Sequence, residues 1–374
     1  MKDFVGFGAL GEALQSLAEQ NFRKILVVAS QDGWKRFNSP EERPFFKERE
    51  PRLFTAFSPN PDFKEILAGV EIARQFQPDL ILAYGGGSPI DTAKGIKAFL
   101  YSPGEYDPQE PQTLKISGDG PPIVAITTTA GSGSEATPFA IFYVGKKKQS
   151  LSHPSLRPQM AVADPEMTYT LPPVQTASTG FDALSQGVES YWSALATPES
   201  REFAAAAIKY ALPNLYNAVH NPAPGNRYNM LMSSHLSGKA ITATRTTIPH
   251  GLAYHLTQEY GLPHGHAVAL TVPYFFRINM DESLPVTFPG GREAHSQNMA
   301  SLFRLMGFAS GDDCFVFWRN LMKACDLAPR LIDVGVDTRE KTEKLIHSFD
   351  VSKAGGHPVT MTGEYLLDFL LANP

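Results

Sequence analysis

The feature that most constrains the fold is an apolar run that ends abruptly in glycine. Asp79-Leu-Ile-Leu-Ala-Tyr84 leads straight into Gly85-Gly-Gly-Ser-Pro-Ile-Asp91. A strand without polar alternation is buried on both faces, as in a parallel sheet covered by helices. Lys24-Ile-Leu-Val-Val-Ala-Ser30 and Ile123-Val-Ala-Ile126 read the same way, the latter ending in Thr127-Thr-Thr-Ala-Gly-Ser-Gly-Ser-Glu135. Phe63 to Phe76 has helical apolar spacing, Thr92 to Leu100 reads as the helix after the first glycine turn, and the Pro- and Gly-rich stretch 102–122 reads as a loop. Repeated strand, glycine turn and helix units predict a doubly wound α/β domain with a mostly parallel sheet.

Around Asp164-Pro-Glu-Met-Thr-Tyr-Thr-Leu-Pro-Pro173 the pattern changes. The segments Thr176 to Ala196, Ser200 to Val219, Tyr228 to Ala243 and His295 to Met306 are helical in spacing and mostly rich in alanine. The expected division is a dinucleotide-binding α/β domain over 1–170 and an all-helical metal and substrate domain over 171–374, and 374 residues suit two domains. With 43% hydrophobic and 19% charged residues the chain is globular. A net charge of −5 supplies no basic surface for nucleic acid or an anionic membrane. Cys314 and Cys325 are the only cysteines, too few for a disulfide framework or a thiolate metal cage. The opening MKDFVGFGALGEAL lacks a basic stretch followed by a long apolar one, so no signal peptide is expected. No apolar run reaches the ~18 residues of a membrane helix. A cytoplasmic enzyme with no membrane partner is the expectation.

Glycines after a strand let backbone approach a pyrophosphate, and the helix that follows offers unpaired N–H groups. Gly85, Gly86, Gly87, Ser88 and Asp91 of the first loop and Thr127, Thr128 and Ser132 of the second are therefore candidate nucleotide contacts. The first loop is not the G-x-G-x-x-G fingerprint, and alone it reads equally as a tight turn; two such loops at the edge of one parallel sheet flank one ligand crevice. An acidic group after the first strand selects NAD by holding the ribose hydroxyls. Here the strand ends at Ser30, followed by Gln31 and Asp32, with Lys35 and Arg36 beyond, so NAD and NADP both stay open.

The second signal is histidine. His250, His255, His264 and His266 put four of the ten histidines into one short stretch. Upstream, Asp182, Gln186 and Glu189 share a helix face by i, i+4 and i+7 spacing. Singly, each reads as a satisfied polar group; together they suggest a metal site.

Ser58-Pro-Asn-Pro61, the two glycine loops, Asp164-Pro-Glu166, Leu171-Pro-Pro173 and Pro263-His-Gly265 occur in an order that resembles the iron-type (group III) alcohol dehydrogenases over nearly the whole length. The resemblance implies a metal in the cleft between the two domains. It implies ligands at Asp182, Gln186, His250 and His264, where the second position is His in the family. Gln is a weaker donor than imidazole for Fe²⁺ or Zn²⁺. A further family histidine maps to Tyr254, with His255 one step along. The implied reaction is hydride transfer between a nicotinamide and an aldehyde or alcohol, with His250, Tyr254 and His264 as catalytic candidates and a homodimer as the expected assembly. The segments 186–201 and 238–250 are similar to the phosphonoacetaldehyde reductase branch. That makes phosphonoacetaldehyde the expected substrate and Arg245 and Thr247 its expected anion-binding groups; Arg245 reads equally as a helix-end arginine paired with a carboxylate. Two alternatives stand: a lyase resembling dehydroquinate synthase, also NAD- and metal-dependent, and a metal-free nucleotide-binding relative that catalyses nothing.

Overall fold

A computed structural model describes residues 2–37, 44–102, 104–118, 120–351 and 354–374 of the chain. Contacts between Cα atoms divide it into two units, Met1–Thr170 and Leu171–Pro374.

The first unit runs β1 (Lys2–Val5), α1 (Ala9–Ala18), β2 (Lys24–Ala29), α2 (Gln31–Phe37), β3 (Glu50–Phe54), α3 (Phe63–Phe76), β4 (Leu80–Gly85), α4 (Gly87–Leu100), β5 (Ile123–Thr127), β6 (Phe139–Val144), β7 (Lys147–Ser152) and β8 (Met160–Ala163). Six strands form one sheet in the order β1-β8-β5-β4-β2-β3, every pair parallel. Alternate residues of the same strands feed two cores, because successive side chains leave opposite faces. Leu26, Val28, Ile81, Ala83, Ile123 and Ala125 pack with Ile66 and Val70 of α3 and Ile90 and Ile96 of α4. Ile25, Val27, Leu80, Leu82, Val124 and Ile126 pack with Leu10, Leu14 and Leu17 of α1 and Phe37 of α2. Both faces are covered by helices, which is the doubly wound α/β architecture.

The chain passes from β2 to β3 on one side and returns to β4 on the other, so the loops after β2 and β4 part from each other. Ligand crevices of open parallel sheets lie at such switch points. Two local readings need correction. Helix α4 begins at Gly87 rather than Thr92, with Pro89 in its first turn, where the missing N–H costs nothing. The loop after β5 does not feed an α-helix. It passes a short 3₁₀ turn at Ser134–Ala136 into the antiparallel pair β6–β7, so the strand–glycine–helix unit is not repeated there.

The second unit is all-α among the described elements: α5 (Pro173–Trp192), α6 (Pro198–Ala211), α7 (Leu215–His220), α8 (Pro224–Thr244), α9 (Ile248–Tyr260), α10 (His264–Ile278), α11 (Gly291–Met306), α12 (Gly311–Ala324), α13 (Arg339–His347) and α14 (Gly363–Ala372). The segment 200–219 is two helices rather than one, because Pro213 cannot donate within a continuous helix. Helix α5 is the central post, buried from Thr176 to Trp192 except at a few positions, and it packs on α6, α8 and α10. No described helix is long and apolar enough to cross a membrane.

Candidate active site

In the first unit, Ser30 follows β2 and its Oγ accepts from Gly33 N at 3.0 Å, capping α2, while Asp32 pairs with Lys35 at 3.4 Å on the exposed surface. Gly85 has a φ of +143°, which side-chain-bearing residues rarely adopt, and a Cβ there meets Pro89 Cγ at 2.6 Å. Gly86 precedes α4 with no side chain capping the helix, so the first-turn N–H groups of Gly87 and Ser88 form the kind of anion-receiving end that a pyrophosphate uses. Thr128 N donates to Gly85 O at 3.0 Å, tying the two loops together, and within the second loop Ser134 N donates to Ser132 Oγ at 3.3 Å. Thr127 is buried and gives its hydroxyl to Thr129 O at 3.0 Å.

Asp91 faces inward. It pairs with Lys94 at 3.9 Å and accepts from Ser134 Oγ. Lys94 was not singled out from the sequence, although its i, i+3 spacing from Asp91 was visible. It is fully buried and donates to Ser134 O at 2.6 Å, Phe139 O at 2.8 Å and Thr137 Oγ1 at 3.2 Å. Burial pushes its ammonium down to about 8 against the pull of Asp91 and Glu135. This pair braces α4 against the loop after β5.

In the second unit, three helices bring the candidate ligands together. Asp182 comes from α5, His250 from the first turn of α9 and His264 from the first residue of α10. One ligand atom of each lies within 4.8 Å of the others. Pro249 starts α9 and Gly261, at φ +67°, ends it, so the chain turns back through Pro263 into α10. Gly265 permits the contact of α10 with α5: a Cβ there falls 1.9 Å from Ser178 O and 2.9 Å from Asp182 Cβ.

His250 is buried, and its Nε2, which makes no hydrogen bond of good geometry, sits 3.4 Å from Asp182 Oδ1. Its Nδ1 is hydrogen-bonded to Glu189 Oε1. The other oxygen, Glu189 Oε2, accepts from Thr247 N at 2.6 Å and Thr247 Oγ1 at 2.7 Å. Burial opposes a charged imidazole, yet Glu189 and Asp182 outweigh it and lift His250 to about 9. Burial likewise opposes the Asp182 carboxylate, but the His250 imidazole beside it and the charge of His264 hold its pKa below the usual range. The field of the site therefore favours positive charge at Nε2. An inward-facing nitrogen without a good hydrogen bond, a carboxylate and a second imidazole make a donor set that fits a divalent cation.

Gln186 lies beside this set. Its Nε2 donates to Asp182 Oδ1 at 3.2 Å and its Oε1 accepts from Ser237 Oγ at 2.9 Å. Tyr254, one turn after His250, stacks parallel on His264 with ring centroids 5.6 Å apart. The other two histidines of the cluster point elsewhere. His255 lies edge-on to Tyr260, and His266 is buried with its Nε2 against Ala328 O at 2.9 Å, neither solvated nor turned to the ligand set. Thr247, expected to hold an anion, spends its hydroxyl on Glu189 and accepts from Trp192 Nε1 at 3.1 Å. Glu189 is the residue whose role the sequence did not give: it lay on the right face, but its partners are about sixty residues away.

Arg245 ends α8, five residues before His250. Its backbone has φ +57° and ψ −178°, a region almost reserved for glycine. The conformation is fixed by Arg245 N to Ile241 O at 2.9 Å and by Thr244 Oγ1, which lies 2.9 Å from both Arg245 O and Ser190 Oγ.

A family profile described as iron-containing alcohol dehydrogenase matches residues 2–165, and that family's C-terminal profile matches 176–372. The chain is 31% identical over 279 residues to the NADPH-dependent butanol dehydrogenase of Clostridium saccharobutylicum, covering 73% of this chain and 72% of that protein. It is 37% identical over 217 residues to the phosphonoacetaldehyde reductase of Streptomyces viridochromogenes, covering 55% and 54%. The solved structure of sulfoacetaldehyde reductase from Bifidobacterium kashiwanohense, in complex with NAD⁺, superposes with a TM-score of 0.88 at 28% identity, covering 100% of this chain and 96% of that one.

Proposed function

Because the chain belongs to the iron-containing alcohol dehydrogenase family, we propose that this NAD(P)-dependent oxidoreductase reduces a small aldehyde carrying an anionic group, with phosphonoacetaldehyde, giving 2-hydroxyethylphosphonate, as the leading candidate. The observation that carries the reading is Arg245. A side-chain-bearing residue in its backbone region costs about 1–3 kcal/mol and persists where surroundings enforce it, most often at functional sites. Here the strained residue is a cation, followed within five residues by a candidate metal ligand. A guanidinium matches phosphonate or sulfonate oxygens with paired N–H groups and stays charged at neutral pH. Two of the similar proteins are named for aldehydes of this kind, one a phosphonate and one a sulfonate.

Asp182, His250 and His264 would hold the metal, and Gln186, engaged by Asp182 and Ser237, orients the Asp182 carboxylate. When bound, Fe²⁺ or Zn²⁺ supplies Lewis-acid polarisation of the aldehyde oxygen, and the nicotinamide supplies the hydride. Arg245 binds the anionic end and so limits the poses the aldehyde can take. Tyr254, stacked on His264, is assigned the proton that the reduced oxygen takes up. The glycine loop Gly85–Gly87 and the loop 127–134 are assigned to the cofactor.

The test is metal analysis of the purified chain followed by NADH and NADPH oxidation with phosphonoacetaldehyde, sulfoacetaldehyde and propanal. The expected result is a kcat/KM at least tenfold higher for an anionic aldehyde than for propanal. A sulfonate preference keeps the substrate class and moves the leading candidate; a propanal preference removes the class.

A further inference from the structure

Glu189 is fully buried, and both of its oxygens are committed. Oε1 meets His250 Nδ1, and Oε2 takes the backbone N–H and the hydroxyl of Thr247, the residue that precedes α9. Thr247 is itself fixed by Trp192 Nε1 at 3.1 Å. The carboxylate therefore does two things at once. It anchors the N-terminus of α9, where a negative charge is favoured, and it decides which nitrogen of His250 faces inward. A carboxylate on Nδ1 holds that nitrogen as the donor and turns the Nε2 lone pair toward Asp182 and His264.

We propose that Glu189 is the positioning residue of the metal centre: by orienting and polarising His250 it sets how tightly Asp182, His250 and His264 hold a divalent cation, and it offsets the missing imidazole at position 186. This rests on the metal reading given above. The charge balance supports it. A dication among Asp182, two neutral imidazoles and the Gln186 amide leaves one uncompensated positive charge in the interior, which is expensive. Glu189 cancels it. Gln186, with its amide already shared between Asp182 and Ser237, brings neither charge nor a spare donor, so the three remaining ligands depend more on how well each is held.

The experiment is Zn²⁺ affinity by chelator competition, together with the visible absorption spectrum of the Co²⁺-loaded protein. The variants are Glu189→Gln, Glu189→Asp and Thr247→Val. In Glu189→Gln the volume is kept, the charge is lost, and the amide can accept at only one of the two positions, so its NH₂ opposes either the Thr247 N–H or the His250 Nδ1–H. Zn²⁺ binding is expected to weaken about 10- to 100-fold, the range found when such outer partners are removed. The Co²⁺ bands should shift, and the dissociation constant for NAD(P)H should stay unchanged. Glu189→Asp, which keeps the charge at shorter reach, should recover part of the loss. Thr247→Val keeps the carboxylate and removes one of the two hydrogen bonds to Oε2, so a loss of a few-fold is expected; it decides the matter if Glu189→Gln does not fold. Unchanged Zn²⁺ affinity and an unchanged Co²⁺ spectrum in a folded Glu189→Gln or Thr247→Val protein overturn the proposal while leaving the metal reading intact. A wild-type chain that binds no Zn²⁺ or Co²⁺ overturns both.

Discussion

Replacing Arg245 with glycine and with alanine separates what its backbone does from what its side chain does. Both variants lose the guanidinium, but only glycine can occupy φ +57°, ψ −178° without strain. Relief is worth about 1–3 kcal/mol, and the greater freedom of glycine in the unfolded chain returns roughly 0.5–1 kcal/mol. Arg245→Gly should therefore be more stable than Arg245→Ala, by about 1 kcal/mol at the middle of these ranges. For a unit of this size that is roughly 2–4 °C in melting temperature per kcal/mol. Differential scanning calorimetry on the two variants reads it directly. On the activity side the variants should behave alike. A hydrogen bond to a charged group is worth roughly 1.5–3 kcal/mol, so each should lose one to two decades of kcat/KM on phosphonoacetaldehyde and little on propanal. A glycine variant no more stable than the alanine variant refutes the strain. Equal losses on both aldehydes refute the anion-binding role and leave Arg245 a structural arginine.

Three further outcomes are expected. Gln186→His adds a third imidazole, as a fourth ligand, on the face of Asp182 and should tighten Zn²⁺ binding at least tenfold in a chelator competition; unchanged affinity would show that position 186 cannot turn toward the metal. Gly265→Ala places a methyl 1.9 Å from Ser178 O, so α10 must move off α5 and carry His264 with it; the cost should be about 1–3 kcal/mol with a parallel fall in metal affinity, and an alanine variant of wild-type stability would contradict the close approach. His357 is held neutral, first by burial and then by His295, itself kept low by burial and affected by Arg292, so its pKa falls to about 3. Its folded pKa is below its unfolded value, so the stability it contributes is complete above about 6.5 and is lost as pH falls toward 3. Between pH 7.5 and 5.0 this histidine alone should cost roughly 2 kcal/mol. A His357→Asn variant should lose that part of the acid sensitivity in urea titrations, and identical slopes for variant and wild type would rule it out.

The sheet was legible where burial on both faces makes a strand an unbroken apolar run, as at Ile25–Ala29 and Leu80–Tyr84, and α3 matches its periodicity from Phe63 to Phe76. It was not legible where other constraints write the sequence. The first turn of α4 is hidden by glycines that serve the loop, and Pro213 was passed over inside an alanine-rich stretch. The hairpin β6–β7 ends in Lys146-Lys-Lys148, which carries no apolar signal, and β1 is a four-residue edge. At the metal centre, spacing was enough to put Asp182, Gln186 and Glu189 on one face. Helical phase sorts the histidines. Tyr254 lies one turn from His250, whereas His255 is rotated about 100° further and His266 about 200° from His264. Phase cannot supply the partners of Glu189 or the backbone angles of Arg245, because both are set by contacts between distant segments.

The two charged devices of the second unit should leave different kinetic marks. On the proposed reading, the anion that Arg245 binds is the same in the aldehyde and in the alcohol, since the hydride goes to the carbonyl carbon and the proton to its oxygen. An interaction that is equal in substrate, transition state and product lowers KM without raising kcat. Arg245→Ala should therefore act mostly on KM for the anionic aldehyde. On the same reading, Asp182, His250 and His264, with Glu189 behind them, would hold the metal that polarises the oxygen whose charge develops during reduction. Their loss should fall on kcat for every aldehyde, charged or neutral. Steady-state kinetics of Arg245→Ala and Glu189→Gln on phosphonoacetaldehyde and propanal thus have a fixed pattern: KM moved in one variant on one substrate, kcat moved in the other variant on both. A kcat loss in Arg245→Ala confined to the anionic aldehyde would mean that the guanidinium also orients the carbonyl. In that case the strained backbone serves catalysis as well as recognition.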